Sequence, residues 1–255
     1  MISKALSVAG FDPSSGAGIT ADLKVFRSLK VYGLGIITAI TAQNTSGVRS
    51  INGVPDRAVA KQLDVLLEDI IPDSTKTGMI LEKTTIRKLC RELDNGRISR
   101  LVLDPIIRSS TGKLLIKRDS INLLMDELIP RSLIVTPNLY EASNISGRTI
   151  HDKDGMRRAA ESIYRLGAKN VLLKGGHLKG DAVDILYDGN AFKVYRAKRV
   201  RGTFHGTGCA LSAAITAYLA SGRNLKESVG RAKTFINRAI KGSVKPGKGM
   251  RILDI

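Results

Sequence analysis

The sequence predicts an α/β fold built on a mainly parallel sheet with helices on both faces. Two observations carry that prediction: short β-rich runs alternate with amphipathic stretches along the chain, and no Pro/Gly/Ser-rich linker divides its 255 residues. Strands that alternate with helices need βαβ crossovers, and such crossovers cover both faces of the sheet. Residues 1–255 therefore read as one domain, with a hydrophobic content of 43% that is ample for a core.

In chain order, strands are expected at 5–8 (ALSV), 34–39 (LGIITA), 75–77 (TKT), 100–103 (RLVL), 133–135 (LIV) and 171–174 (VLLK). Between them, 21–29, 57–67, 85–93, 121–128 and 156–166 carry apolar residues at three- and four-residue spacing; Met156, Ala159, Ala160 and Ile163 are one such stripe. Runs 183–187 and 192–197, joined through Asp188, Gly189 and Asn190, read as a hairpin near the end of the sheet. A glycine-bracketed turn and two terminal helices follow.

Ligands of parallel sheets bind beyond the carboxyl ends of the strands, so the residues that follow each strand are the candidate site. AGFDPSSGAGITADLK follows the first, with Gly10, Gly16 and Gly18 allowing tight turns around Asp12 and Asp22. TAQNTSG follows the second, where the amides of Gln43 and Asn44 suit a heteroaromatic ring edge. Asp104 with Pro105, then TPNLYEA with Asn138 and Glu141, then KGGH with Lys174 and His177, close the later strands. Each is weak alone, since Asp104 suits a turn, Glu141 a solvated helix and Lys174 a surface. Together, acidic groups able to hold Mg²⁺, a lysine and glycine turns on one sheet edge are the parts of phosphoryl transfer.

The segment 202–214, GTFHGTGCALSAA, adds an anion hole. Unpaired N–H groups and the helix dipole favour negative charge at such a helix start. Gly206 and Gly208 remove Cβ atoms on both sides of Thr207, as close approach to a ligand requires. Cys209 reads either as a small packing residue or as a proton acceptor whose thiolate the same amides stabilise. Cys90 lies in the apolar stripe of 85–93 and reads as core.

Composition bounds the partners. Forty-one Lys plus Arg against 23 Asp plus Glu give a formal net charge of +18, which attracts polyanions. The basic residues are spread rather than clustered, aromatics are only 4% and Trp is absent, so nonspecific, salt-sensitive contact with nucleic acid is expected and a specific site is not. No stretch of about 18 apolar residues occurs, and two unpatterned cysteines fit a reducing compartment. A cytoplasmic protein without membrane contact is expected.

The ordered set AGFDPSSGAGITADLK, ITAITAQNTSGV, KTGM, LDPIIRSSTGKLL, TPNLYEA, LLKGGH and FHGTGCALSAA resembles the hydroxymethylpyrimidine/phosphomethylpyrimidine kinases of thiamine biosynthesis, over about residues 5–214. The resemblance implies a ribokinase-like three-layer α/β/α sandwich, ATP and Mg²⁺ as cofactors, and a homodimer. It implies Cys209 as the base on the substrate hydroxymethyl group, with the amides of Gly206, Thr207, Gly208 and Cys209 around the transferring phosphoryl. It implies Lys174 on the phosphate side; Gly10, Asp22, Gln43 and Met79 in the pyrimidine pocket; and Asp104 and Glu141 near Mg²⁺. A GxxxxGK[ST] loop is absent, as the resemblance to this superfamily leads one to expect, and the commonest kinase motif is thereby ruled out. The chain departs from the family at Phe11 (usually serine), Ser15 (glycine), Phe204 and Ala210 (both threonine), and in its last residues, GKGMRILDI. Pyridoxal kinase is the alternative activity, since both substrates present a ring nitrogen and a hydroxymethyl group. A decayed kinase that persists as a basic binding or regulatory protein is a third reading, opposed by Asp104, Glu141, Lys174 and Cys209.

Overall fold

A computed structural model describes residues 2–109, 112–176, 178 and 180–255. Nine strands form one sheet in the order β3-β2-β1-β4-β5-β6-β7-β8-β9. The central strands β1 (Lys4–Phe11), β2 (Tyr32–Asn44), β4 (Ser74–Thr77), β5 (Leu101–Leu103), β6 (Ile134–Val135) and β7 (Val171–Lys174) run parallel. The edges are antiparallel: β3 (Gly47–Gly53) on β2, and the hairpin of β8 (Ala182–Tyr187) and β9 (Phe192–Ala197) on β7.

Alternation along the strands divides the core between two faces. Leu101 and Leu103 of β5, and Val171 and Leu173 of β7, join one apolar cluster. Val102 and Leu172 between them join the other. The first cluster is closed by α2 (Asp56–Asp69), α3 (Lys83–Asp94), α4 (Arg118–Leu123), α5 (Leu139–Ser146) and α6 (Lys153–Arg165), through residues such as Leu63, Leu89, Ile121, Ala142 and Met156. The second is closed by α1 (Gly18–Ser28), α7 (Thr207–Ala220) and α8 (Leu225–Lys241), through Phe26, Ala213, Ile215 and Ile236. Three layers result. Helix α7 is apolar on all sides and buries ten of its residues, as a helix enclosed by neighbours must.

Three elements differ from the sequence expectation. Strand β2 runs on to Asn44, and the polar segment GVRSING returns beside it as β3. Its weak apolar alternation hid it. Helix α5 begins at Asn138, whose side chain accepts from the Glu141 N–H while Glu141 accepts from the Asn138 N–H, a reciprocal capping box. Helix α4 is short and continues as one π-helical turn, Leu124–Leu128.

The chain end also has a defined place. Strand β11 (Arg251–Ile252) pairs with β10 (Phe204–His205) just before α7. The preceding glycines press on the β2–β3 turn: Met250 N–H donates to the Thr45 carbonyl at 2.8 Å, and a Cβ at Gly249 would overlap that carbonyl.

Candidate active site

A cavity of about 850 Å³ opens at the carboxyl ends of the parallel strands. Its wall includes Gly10, Gln43, Met79, Asp104, Glu141, Lys174, Gly206, Thr207, Gly208 and Cys209, so ten of the eleven residues to which the resemblance assigns a role meet there, all but Asp22. His177 lies outside the described residues.

On the ring side, backbone irregularities aim the side chains. The β1–β2 ladder shifts register between Ala9 and Phe11, at Gly10, and the β2–β3 ladder shifts between Ala42 and Gln43. Bulges of this kind turn a side chain out of the pleat. A Cβ at Gly10 would occupy the place of the Met79 methyl, so this glycine lets Met79 form the floor. Phe11 and Phe204 both line the cavity, and Phe204 also packs into the α7–α8 layer.

Asp22 departs from the expected ring contact. It points from α1 into the core, fully buried, and accepts from Ser7 Oγ and Lys76 Nζ, each at 2.6 Å through Oδ2. It lies one layer below the wall and supports Lys76, which lines the cavity. The reason is position: Asp22, in the second turn of α1, faces Ser7 of β1 and Lys76 of β4, where a buried carboxylate must find a cation.

On the phosphate side, α7 starts at Gly206 in the left-handed region (φ 77°) with no side-chain cap. A Cβ there would overlap the Gly16 carbonyl, so the two glycine loops interlock only through glycine. The first intrahelical bond is from Ala210 N–H to the Gly206 carbonyl, which leaves the N–H groups of the first turn for a ligand. Lys174 Nζ lies beside them, since a Cβ at Gly208 would come within 3.1 Å of it. The same ammonium pairs with Asp104 Oδ1 at 2.8 Å. Asp104 also accepts from Thr136 and Ser212.

The titration of these groups follows from burial and neighbours. Burial, reinforced by the Asp104 charge and opposed by Lys174, pushes the Glu141 carboxyl up to about 7. Burial works against the Lys174 ammonium, but Asp104 and Glu141 outweigh it and hold it above its usual range. Cys209 corrects the sequence expectation of easy ionisation. Burial at the cavity floor outweighs the Lys76 ammonium and pushes the thiol up to about 11. Cys90, in the core as expected, is also raised to about 11 by burial.

Sequence reasoning missed two members of the wall. Lys76 is a buried cation inside a strand, and nothing in TKT marks it. His205 bonds Asp12 and Gln43; its place inside the glycine bracket of α7 was the available signal.

A family model described as phosphomethylpyrimidine kinase matches residues 12–254. The chain belongs to that family. A bifunctional thiamine biosynthesis protein of Geobacter sulfurreducens is 46% identical over 246 residues, which are 96% of this chain and 50% of the relative; the chain thus spans half of that protein's length. The crystal structure of a Clostridium difficile phosphomethylpyrimidine kinase superposes with a TM-score of 0.83 at 43% identity, covering 94% of this chain and all of the other. A Bacillus subtilis pyridoxal kinase solved as an ADP complex superposes with a TM-score of 0.91 at 35% identity, covering 100% and 97%. The family's ribokinase-like α/β/α sandwich is therefore the fold of this chain, and kinase chemistry its class.

Proposed function

We propose that the protein phosphorylates 4-amino-5-hydroxymethyl-2-methylpyrimidine with ATP, and then its monophosphate to the diphosphate, in thiamine biosynthesis. The observation that carries the reading is convergence: a thiol, a lysine and the free amides of a helix start meet one cavity whose other end offers Gln43 and Met79 to a flat ring.

The hydroxymethyl oxygen attacks the γ-phosphorus, its hydrogen passes to Cys209, and the bond to the bridging oxygen of ADP breaks. Cys209 serves as base only after its thiol has lost a proton, so burial that holds the thiol near 11 limits the base in the ligand-free state. The first-turn N–H groups of Thr207, Gly208 and Cys209, with Lys174, receive the charge that develops on the transferring phosphoryl. Asp104 and Glu141 fit a magnesium site of the usual kind, two carboxylates completed by nucleotide phosphates and water. Glu141, raised to about 7 chiefly by burial, is a carboxyl whose ionised form a bound cation would favour. Magnesium bound there would neutralise the phosphates. Among the described residues, no cluster of three or more His, Cys, Asp or Glu side chains forms a cage for a metal.

No described helix is long and apolar enough to cross a membrane, and both cysteines are free thiols. A cytoplasmic homodimer goes with this reading, and sedimentation velocity tests the dimer. The deciding measurement is ADP release by purified protein with ATP and Mg²⁺ on the hydroxymethylpyrimidine, its monophosphate and pyridoxal in parallel. Turnover on both pyrimidines with little on pyridoxal is expected. Turnover on pyridoxal alone moves the protein to vitamin B6 salvage, and none on any of the three refutes the reading.

A further inference from the structure

His205 lies in the short strand that leads into α7, 6% exposed, and one of its ring nitrogens serves two neighbours. Nε2 stands 2.8 Å from Asp12 Oδ2 and 2.7 Å from Gln43 Nε2. An ionised carboxylate only accepts. Burial works against ionised Asp12, yet the hydrogen bonds from His205 and Ser14 outweigh it and hold the carboxyl below its usual value. The hydrogen on His205 Nε2 therefore goes to Asp12, and that nitrogen keeps no lone pair for a donor. An amide NH₂ at 2.7 Å would face it hydrogen to hydrogen. On its other side, Gln43 faces Thr41 Oγ1 at 3.4 Å. That hydroxyl already donates to the Phe11 carbonyl at 3.0 Å, so it is left to accept. Both neighbours require the same rotamer of the carboxamide: Oε1 toward His205, where it shares the one Nε2–H with Asp12 in a three-centre bond, and Nε2 toward Thr41.

We infer that Asp12 and His205 on one side, and Thr41 on the other, are positioning residues that lock the Gln43 carboxamide in this sense and so select the ring edge the cavity accepts. The inference rests on the proposed reaction, in which the hydroxymethyl group must face Cys209 and the ring cannot turn over. Gln43 Oε1, on the His205 side, then accepts from an exocyclic amino group, and Nε2 donates to the adjacent ring nitrogen. A 4-oxo analogue presents a carbonyl and a ring N–H, the reverse order. With a locked amide it meets acceptor with acceptor and donor with donor, and is rejected by repulsion as well as by lost bonds. A free amide would turn to suit either edge.

The test compares wild type, His205→Leu and Thr41→Val on the 4-aminopyrimidine and on its 4-oxo analogue. Wild type is expected to prefer the amino compound by at least ~100-fold in kcat/KM, a floor below the roughly 10⁴–10⁵ of sites that read a substrate hydrogen bond. Both variants are expected to raise KM for the aminopyrimidine about tenfold and to narrow the preference about tenfold, by the loss of one oriented hydrogen bond. KM for ATP and kcat should stay within a fewfold of wild type. His205 also packs on Gly16, so a purely structural role would lower the melting temperature without moving the preference. The near-isosteric Thr41→Val decides the matter if His205→Leu does not fold. Folded variants that discriminate as wild type does overturn the lock while leaving the proposed function standing. Wild type inactive on both compounds overturns the function and the lock together.

Discussion

Burial makes both Cys209 and Glu141 hold their protons to higher pH than their ordinary chemistry would, and each makes a prediction. If the thiolate of Cys209 is the base, protonated thiol is the idle form. With the thiol near 11, the active fraction rises about tenfold per unit of pH below that value. We expect log kcat/KM to climb from pH 7 to pH 9 with a slope approaching one. Cys209→Ser should fold and lose about 10²–10⁴-fold in turnover, the usual worth of a general base, and should lose the slope with it; a variant at wild-type rate would make Cys209 a packing residue. Glu141 acts on stability. Its carboxyl ionises near 4.5 when unfolded and near 7 when folded, so as pH rises through that window the unfolded chain gives up the proton first and stability falls. Glu141→Gln abolishes that loss and keeps the capping box, because glutamine at this position can also accept from the Asn138 N–H. Without magnesium, the melting temperature of Glu141→Gln relative to wild type should be higher at pH 8 than at pH 5, by an amount equivalent to at most about 3 kcal/mol. An equal difference at both pH values would show that burial does not hold that proton.

Between elements, the chain end links the two sides of the cavity. Arg251 N–H donates to the Thr203 carbonyl ahead of α7, while Met250 and Gly249 rest on Thr45 at the tip of the hairpin that carries Gln43. Gly249→Val would drive side-chain atoms into the Thr45 carbonyl and lever the hairpin outward. We expect KM for the pyrimidine to rise about tenfold with kcat changed less, as loss of ground-state positioning does, and unchanged kinetics would show that the strap is incidental. This contact was illegible in GKGMRILDI because its bonds reach Thr203 and the far more distant Thr45 and follow no period. The same limit hid β3, whose polar residues alternate too weakly, whereas the parallel strands other than β4 were legible because burial on both faces makes them short apolar runs, and β4, STKT, showed only through its β-branched threonines. Helix α5 carried a readable mark, Asn138 three residues before Glu141. The site was legible where chemistry demands a residue type beside glycine, as at Gly206, Gly208 and Cys209. It was illegible where a buried cation such as Lys76 owes its place to Asp22, a partner brought to it by the fold.

At the scale of the molecule, an excess of 18 positive charges poses a choice between a nucleic-acid surface and a field that serves the kinase. Stacking on bases needs exposed aromatic rings set together. Here Tyr164, Tyr187 and Phe192 pack on one another, and the Tyr195 hydroxyl donates to the Lys226 carbonyl. The two well-exposed tyrosines are Tyr32 and Tyr140. Tyr32 stands at the amino end of β2, and Tyr140 lines the cavity at the opposite edge of the sheet with Arg108 over its ring. No platform joins them. The cavity wall, by contrast, gathers Arg108, Lys174, Lys198, Arg199 and Lys233, cations placed where a polyphosphate must enter, and such a field raises association rates at low salt. Two outcomes follow from that placement. Duplex DNA should bind weakly and without sequence preference, and should lose about 10³-fold or more in affinity between 50 and 200 mM salt if six or more phosphates are contacted. Over the same range kcat/KM for ATP should fall while kcat holds, because screening slows encounter and leaves the buried Lys174–Asp104 pair untouched. DNA binding that survives high salt, with turnover indifferent to it, would assign the charge to a nucleic-acid partner instead.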